Sequence, residues 1–349
     1  MARIPIPRKT YFFVLLIFFV SILIIELGLQ TIYYASRGRP TWSASEVFNY
    51  RDFTYLTNDE RYVSIKPNFM TDRNGWKILT DNYGFRIGKQ KPSQISNIVF
   101  LGDSVPFGWG VDSEDSVPGI LHEILLNKGI DVGIINAAVP AYSLDQSVQR
   151  YQKEIVNKFP SNVIILQIYD PVNQFTMLGR EWNVSINWTT WPGRHSDYTR
   201  NICGYSSLCY VFRRYFGERK EGVTELLDID DKITISNYKT SIKKSLNNMH
   251  LTAVDTEKIL LLPVTIPKKS WSEMSKERKM AVRILNSTLE EYAHSSDNIL
   301  YVDTISLFRD YDDKKIFIDE CCHLSPFGAE LQAKLIAKEL FNSNLKILQ

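Results

Sequence analysis

Five short apolar segments, each rich in valine, isoleucine or leucine, are spaced along the chain from residue 97 onward. Because these runs lack polar alternation, they predict strands that are covered on both faces. The predicted strands are Ile98–Leu101, Val132–Ala138, Val163–Tyr169, Lys258–Val264 and Ile299–Val302. Helical stretches lie between and after them, at Val117–Asn127, Leu144–Lys158, Asp231–Met249, Ser272–His294 and Pro326–Phe341. This alternation predicts an α/β fold with a five-stranded parallel sheet between helices.

The N-terminal part of the chain has a different pattern. Three basic residues within the first ten precede an apolar run from Tyr11 to about Ile32, in which Glu26 is the one charged residue. A helix of this length can cross a hydrocarbon core about 30 Å thick. The basic flank predicts that the N-terminus lies in the cytoplasm and that the rest of the chain lies outside it. Since no small-x-small cleavage site follows the run, we favour an uncleaved membrane anchor over a cleaved signal peptide.

These patterns divide the chain into four predicted parts. Residues 1–10 form a cytoplasmic N-terminus, 11–34 a transmembrane signal-anchor, 35–96 a stalk with an irregular packing layer, and 97–349 the α/β domain. Within that domain, residues 171–230 show no strand–helix rhythm and hold three of the seven tryptophans. An insertion of this length after a strand is typical of a binding surface or a lid.

Composition narrows the possible partners. The 349 residues are 44% hydrophobic and 23% charged, which is ordinary for a globular protein. The net charge is +2 and no basic block stands out, so we expect no nucleic-acid partner. Of the four cysteines, Cys203 and Cys209 flank a short segment that a disulfide could close, whereas the adjacent Cys321 and Cys322 could hardly pair without strain. No CxxC pair or histidine cluster has metal-ligand spacing, so no metal or cofactor is expected.

Candidate chemistry follows the predicted strands, because ligands of open parallel sheets bind beyond the carboxyl ends of the strands. Ser104 follows the first strand in Gly-Asp-Ser, and His323 precedes the last helix. Gly, Asp and Ser are also ordinary turn residues. A serine becomes a nucleophile, however, when a histidine takes its proton and a carboxylate orients that histidine. Asp319 and Glu320 precede His323 by four and three residues, so either carboxylate could do so.

Two motifs resemble those of a known family, the SGNH or GDSL hydrolases. The stretch FLGDSVPFGWGV (100–111) resembles the first block of that family, and DECCHLSPFGAELQAKLIA (319–337) resembles the last. The segment NYGFR (82–86) resembles one found ahead of the first block in membrane-anchored relatives. The resemblance implies a flavodoxin-like three-layer α/β/α sandwich, with Ser104 as the nucleophile and His323 as the base.

The resemblance also implies donors for an oxyanion and a carboxylate for the histidine. The second block of the family offers a glycine amide, where this chain has Ala141 in VPAYS. The third block offers an asparagine, for which IYDPVNQF leaves Asn173 and Tyr169 as candidates. The acid of the family usually stands three residues before the histidine, which indicates Glu320, but it is usually an aspartate, which indicates Asp319. Both stay candidates, and we favour Asp319 because an inserted cysteine could shift the register by one residue.

The sequence therefore predicts a single-pass, membrane-tethered serine esterase whose catalytic domain lies outside the cytoplasm. Its expected substrates are acyl esters, chiefly O-acetyl esters, of envelope or secreted polysaccharide. Three alternatives stay open: an O-acyltransferase acting on polysaccharide, a lipase or lysophospholipase-like esterase acting on a lipid ester, and a non-catalytic glycan-binding module.

Overall fold

The computed structural model describes residues 8–37, 53–57, 63–72, 75–140, 142–168, 232–263, 265–343 and 345–346. The chain divides into two compact units, which are described separately below. One unit contains the N-terminal helix, and the other contains the parallel sheet with its covering helices.

Helix α1 spans Arg8–Arg37. Its segment Phe13–Ile32 is long and apolar enough to cross a membrane, and none of it is buried. The predicted span from Tyr11 to about Ile32 lies within this helix. A signal sequence near the N-terminus can meet the same criteria of length and apolar composition, so the retention of the helix and the orientation of the chain stay predictions.

The region predicted as a stalk and irregular packing layer forms two small antiparallel sheets in its described part. Strand β1 (Thr54–Leu56) pairs with β2 (Val63–Ile65), and β3 (Met70–Thr71) pairs with β4 (Ile78–Leu79). After them, Arg86 forms an isolated bridge to Asn136 in the main sheet, with its backbone N–H 3.0 Å from the carbonyl oxygen of Asn136. This backbone contact attaches the layer to the edge of the sheet that carries the site.

The five predicted strands are present and form one parallel sheet. They are β5 (Asn97–Gly102), β6 (Gly133–Asn136), β7 (Val163–Gln167), β8 (Lys258–Leu262) and β9 (Ile299–Tyr301), in the spatial order β6-β5-β7-β8-β9. Nearly every residue of these strands is buried, because helices cover both faces as the continuous apolar pattern predicts. The predicted flavodoxin-like α/β/α sandwich is confirmed.

The helices of the sandwich are α2 (Ser104–Phe107), α3 (Val117–Leu126), α4 (Leu144–Arg150), α5 (Lys232–Thr252), α6 (Lys268–Glu273), α7 (Lys276–Ala293), α8 (Thr304–Phe308), α9 (Asp313–Ile316) and α10 (Pro326–Asn342). A π-helical turn, Tyr151–Ile155, continues α4. Helices α3 and α10 contact each other, and α5 contacts both α4 and α7. These two groups of helices cover the two faces of the sheet.

The strand order places a crevice at the end of β5. The chain passes from β5 to one neighbour, β6, and then crosses over to the other neighbour, β7. Connections that leave a strand in opposite directions open a crevice beyond its carboxyl end, where ligands of such sheets bind. Ser104 lies two residues beyond the end of β5, so it is positioned at this crevice.

Candidate active site

The turn after β5 is built to present Ser104. The carboxylate of Asp103 is buried and accepts the backbone N–H of Val105 at 3.0 Å, which caps the short helix α2. Ser104 is the first residue of α2 and is half-buried. Because this cap fixes the backbone on both sides of Ser104, the serine side chain has a defined direction at the carboxyl end of β5.

Gly102 permits the close approach of β5 and β7 at the turn. Its φ is +138°, a conformation that residues with a side chain rarely adopt. A Cβ atom at this position would lie 1.8 Å from the carbonyl oxygen of Gln167. The motif therefore needs glycine here for both conformation and space.

His323 is held by a small loop before α10. Phe317 and Leu324 form an antiparallel bridge, and the N–H of Ile318 donates to the carbonyl of His323 at 2.9 Å. Directly after this bridge, Ser325 caps α10 by accepting the N–H of Gly328 at 3.1 Å. The bridge closes the intervening residues into a turn, which brings residue 319 back to residue 323.

A continuous chain of hydrogen bonds joins three side chains. The Nε2 atom of His323 lies 2.8 Å from the Oγ atom of Ser104, and its Nδ1 atom lies 2.5 Å from the Oδ2 atom of Asp319. The other carboxylate oxygen of Asp319, Oδ1, accepts the backbone N–H groups of Cys321, Cys322 and His323 at 3.0, 3.2 and 3.3 Å. One oxygen thus orients the carboxylate, and the other is available to orient the imidazole.

The two ionisable groups of these hydrogen-bonded side chains, His323 and Asp319, shift each other's pKa. Burial alone would lower the pKa of His323, but the hydrogen bond to Asp319 and its negative charge outweigh burial and raise the pKa above 6.5. Burial alone would raise the pKa of Asp319, but the hydrogen bond and charge of His323, with the two cysteine amides, lower it below 3.8. Asp319 is therefore ionised near neutral pH, and His323 is a stronger base than an ordinary histidine.

The second candidate carboxylate, Glu320, points elsewhere. Its side chain is 73% exposed and forms an ion pair of 2.8 Å with Lys269. Its backbone carbonyl accepts the hydroxyl of Ser270. The structure brings Ser104, His323 and Asp319 together and leaves Glu320 on the outer side of the turn.

A buried arginine organises the turn that follows the serine. Arg86 is completely buried, and its guanidinium donates to the carbonyl oxygens of Phe107 (2.7 Å), Gly108 (2.5 Å) and Val111 (2.6 Å) and also to that of Lys77 (2.9 Å). The rings of Phe107 and Trp76 lie 4.9 and 5.2 Å from its Cζ atom. Burial lowers the pKa of Arg86 to about 9, so it stays charged at neutral pH.

This turn, residues 107–111, carries an aromatic side chain to the candidate site. The ring of Trp109 lies 5.9 Å from the ring of His323. On the other side of the turn, the amide of Asn136 donates to the carbonyls of Pro106 and Phe107 at 3.1 and 3.3 Å. Arg86 and Asn136 together hold the backbone that supports Trp109 beside the imidazole.

The sequence did not indicate these three residues as part of the site. Arg86 ends the NYGFR segment, and a charged residue in an otherwise apolar and turn-forming context is the signal that could have identified it. Trp109 stands between two glycines just after the serine, where a large aromatic side chain has few packing partners along the chain. Asn136 ends a buried strand, at the edge where ligands bind.

The three predicted oxyanion donors, Ala141, Asn173 and Tyr169, lie outside the described residues. The insertion predicted at 171–230 also lies outside them. Their roles stay predictions.

One group of metal-ligating side chains occurs in the part of the chain that the structure describes. Cys321, Cys322 and His323 offer ligand atoms within 4.8 Å of one another. Both ring nitrogens of His323 already contact Asp319 and Ser104. A metal ion at this place would have to displace one of those contacts, so the geometry favours the hydrogen-bonded chain over a metal site.

No family model and no curated protein matches the chain. Solved structures do match it, including a lipase/acylhydrolase from Enterococcus faecalis (15% identity, 71% of this chain and 96% of that chain, TM-score 0.44). A member of the lipolytic protein G-D-S-L family from Veillonella parvula matches with 16% identity, 71% and 98% coverage and a TM-score of 0.44. A catalytic mutant of an acetylxylan esterase from Geobacillus stearothermophilus matches with 12% identity, 74% and 99% coverage and a TM-score of 0.44. The likeness to these structures concerns the fold, and one of them is a member of the lipolytic protein G-D-S-L family.

Proposed function

We propose that this protein is a serine ester hydrolase of the SGNH type, with Ser104 as the nucleophile, His323 as the general base and Asp319 as the acid that orients it. The observation that carries the proposal is the continuous hydrogen-bonded chain from Ser104 Oγ through both nitrogens of His323 to Asp319 Oδ2. Serine, histidine and carboxylate in this order are the arrangement that activates a hydroxyl for acyl transfer.

In the first half of the reaction, Ser104 attacks the carbonyl carbon of the ester. Because Asp319 accepts a hydrogen bond from the Nδ1–H group, the Nε2 atom of His323 carries the lone pair that takes the proton of the serine hydroxyl. The resulting imidazolium is stabilised by the ionised carboxylate. It then donates the same proton to the alcohol oxygen as the ester C–O bond breaks, which leaves an acyl-serine.

In the second half, water takes the place of the alcohol. His323 accepts a proton from the water, whose oxygen attacks the acyl carbon, and the imidazolium returns that proton to Ser104 Oγ as the acyl–serine bond breaks. The carboxylic acid leaves and the original protonation state is restored. An acyltransferase differs only at this step, where a sugar hydroxyl replaces water.

Both halves pass through a tetrahedral oxyanion that needs hydrogen-bond donors. The backbone N–H of Ser104 is the first of helix α2, so it has no partner within that helix. We assign this N–H as one donor, together with the backbone N–H of Ala141 and the side chain of Asn173 or Tyr169. Loss of one such donor costs about 2.7–4 kcal/mol in comparable enzymes.

The proposed substrates are acyl esters, chiefly O-acetyl esters, on envelope or secreted polysaccharide. The candidate span Phe13–Ile32 supports a membrane tether, with the catalytic domain outside the cytoplasm. An enzyme tethered there meets glycans and lipids. The tryptophans of the 171–230 insertion offer aromatic faces on which sugars can stack.

The full-length protein in detergent tests the proposal. We expect hydrolysis of p-nitrophenyl acetate well above that of long-chain esters, and release of acetate from an acetylated polysaccharide. The variants Ser104→Ala and His323→Ala should lose nearly all of this activity while keeping the circular dichroism of the wild type. Preference for long-chain esters would favour the lipase, and acyl transfer to an added oligosaccharide would favour the transferase. Glycan binding without turnover of any ester would reject the enzyme.

A protease experiment tests the proposed location. Protease added to spheroplasts should digest the domain that follows the span, since we place it outside the cytoplasm. Protection of the whole chain in intact spheroplasts, with digestion after lysis, would reverse the proposed orientation.

A further inference from the structure

Two adjacent cysteines separate Asp319 from His323. Their Sγ atoms lie 2.8 Å apart, and neither residue is in a disulfide in this structure. Cys322 is 1% exposed, whereas Cys321 is half-buried. The backbone N–H groups of both cysteines donate to the Oδ1 atom of Asp319. Thiol chemistry at this pair therefore acts directly on the backbone that holds the carboxylate.

We propose that Cys321 and Cys322 are a modification site, at which a small-molecule disulfide converts the two thiols into a disulfide between neighbouring residues and thereby displaces Asp319 from His323. The effect on activity rests on the proposed esterase function. The modification and its effect on the imidazole do not.

The two sulfur atoms are close enough for a disulfide bond to form with little movement. A disulfide is about 2.05 Å long, so the two sulfur atoms must approach by only about 0.8 Å. Such a bond closes a small ring that contains the peptide group between the two cysteines. Peptide groups resist departure from planarity, so ring closure forces the flanking dihedral angles to change.

Those dihedral angles determine the direction of two of the three backbone N–H groups that donate to the Asp319 carboxylate. At present the N–H groups of Cys321 and Cys322 converge on one carboxylate oxygen at 3.0 and 3.2 Å. Rotation of the peptide group between the cysteines turns the N–H of Cys322 away from that oxygen. The carboxylate then loses a fixed orientation, and its contact with the Nδ1 atom of His323 weakens.

The redox step balances without any further reactant. The thiolate of Cys321 attacks one sulfur of the small-molecule disulfide, and one thiol leaves. The thiol of Cys322 then loses its proton and attacks the Sγ atom of Cys321, and the second thiol leaves. The two cysteines are oxidised by two electrons, and the small disulfide is reduced to two thiols.

Burial assigns the order of these steps. Reagents in solution reach the half-buried Cys321 before the buried Cys322. Burial and the neighbouring thiol also raise the pKa of Cys322, which disfavours its thiolate as the first attacking group. Because strained disulfides have more oxidising potentials, a dithiol reagent should reopen the ring readily. The modification should therefore be reversible.

The test treats the full-length protein with glutathione disulfide and follows three readouts. Peptide mass mapping should find the segment that contains residues 321 and 322 lighter by two hydrogens. Nuclear magnetic resonance titration should show a lower pKa for the His323 imidazole, since it loses Asp319. Turnover of a short-chain ester should fall at least about tenfold, the change that 1.4 kcal/mol corresponds to, and dithiothreitol should restore it.

Matched controls are Cys321→Ser and Cys322→Ser. For each variant the turnover after treatment with glutathione disulfide is divided by the turnover of the untreated variant, so that differences in basal rate cancel. The ratio for Cys321→Ser should stay near one, because the remaining thiol is buried. In Cys322→Ser the reaction should stop at a mixed disulfide on Cys321 and leave the pKa of His323 unchanged, so this variant separates the effect of an adduct from that of the ring. In the unsubstituted protein, formation of a mixed disulfide without a ring, or a ring that leaves the pKa of His323 unchanged, would overturn the inference. If the protein hydrolyses no ester at all, the mass and the pKa still decide this inference, and only the proposed function fails.

Discussion

The Nε2 atom of His323 lies 2.8 Å from the Oγ atom of Ser104, although the two residues are 219 positions apart in the chain. Two local features produce this contact. The capped turn after β5 presents the serine, and the bridge between Phe317 and Leu324 turns the histidine toward it. Because Asp319 belongs to the same turn as His323, the carboxylate and the imidazole are positioned by one piece of backbone.

The variants Asp319→Asn and Glu320→Gln should have very unequal effects. Loss of the carboxylate that orients the histidine costs about 10⁴ in rate in serine proteases, and we expect a loss of that order for Asp319→Asn. Glu320 is exposed and paired with Lys269, and such surface pairs contribute about 0–1 kcal/mol, so Glu320→Gln should stay within about threefold of the wild type. The measurement is turnover of a short-chain ester, with folding checked by circular dichroism. If both variants stay active while Ser104→Ala and His323→Ala are inactive, the enzyme works with a dyad.

The rate should depend on pH through His323. In the proposed mechanism the neutral form of His323 is the base, and its pKa is raised above 6.5, so turnover should rise with pH with a midpoint above 6.5. In Asp319→Asn the hydrogen bond and charge of Asp319, the two strongest influences that raise this pKa, are removed, whereas burial, which lowers it, remains. The midpoint of the residual activity should therefore move to lower pH. A pH–rate profile of both proteins measures this, and a midpoint that moves upward would contradict the assignment of Asp319.

Replacement of Arg86 should affect both stability and turnover. Lysine cannot donate to four carbonyls in a fixed fork, so Arg86→Lys leaves several buried carbonyls without a donor. Each hydrogen bond to a charged group contributes about 1.5–3 kcal/mol, and we expect the free energy of unfolding to fall by about 3 kcal/mol or more. Turnover should fall as well, because the 107–111 turn supports Trp109 beside His323.

The matched control for this prediction is Arg309→Lys, at an exposed position whose guanidinium makes one long contact to Ser306. Urea unfolding followed by circular dichroism, together with ester turnover, compares the two variants. Equal stability of Arg86→Lys and Arg309→Lys would show that the four carbonyl contacts contribute nothing measurable.

Gly102→Ala should be far more damaging than Gly129→Ala. Both glycines have positive φ, but a Cβ atom at residue 129 meets nothing within 4 Å, whereas at residue 102 it meets the carbonyl of Gln167 at 1.8 Å. The conformational cost alone is about 1–2 kcal/mol, which Gly129→Ala measures. Gly102→Ala adds a backbone clash beside Ser104 and should prevent accumulation of folded protein. The yield of soluble folded protein tests this, with the melting temperature of any variant that folds. Similar yields and melting temperatures for the two variants would mean that β5 and β7 can move apart at little cost.

Local pattern predicts most of the fold. The strands are continuous apolar runs because both faces of the sheet are covered, and every predicted strand end lies within about two residues of the observed one. The interruptions in the helical stretches were less predictable. The predicted helix Leu144–Lys158 changes to a π-helical turn at Tyr151, and Ser272–His294 is divided into two helices near Met274. The spacing of hydrophobic residues alone does not distinguish a continuous α-helix from one with a π-helical turn or a break, since each keeps its apolar side chains on one face.

Some residues of the candidate site could likewise be identified from the sequence, whereas others are identified only by the tertiary structure. Ser104 and His323 are recognisable because Ser104 follows the end of a strand and His323 precedes the start of a helix, and the order of elements along the chain places both at the carboxyl end of the sheet. The choice between Asp319 and Glu320 depends on which way a five-residue turn closes, and both spacings allow contact with the histidine. The positions of Arg86 and Trp109 depend on backbone carbonyls supplied by residues 107–111. Every residue carries a carbonyl, so no side-chain pattern marks those acceptors, and only folding brings them around one guanidinium.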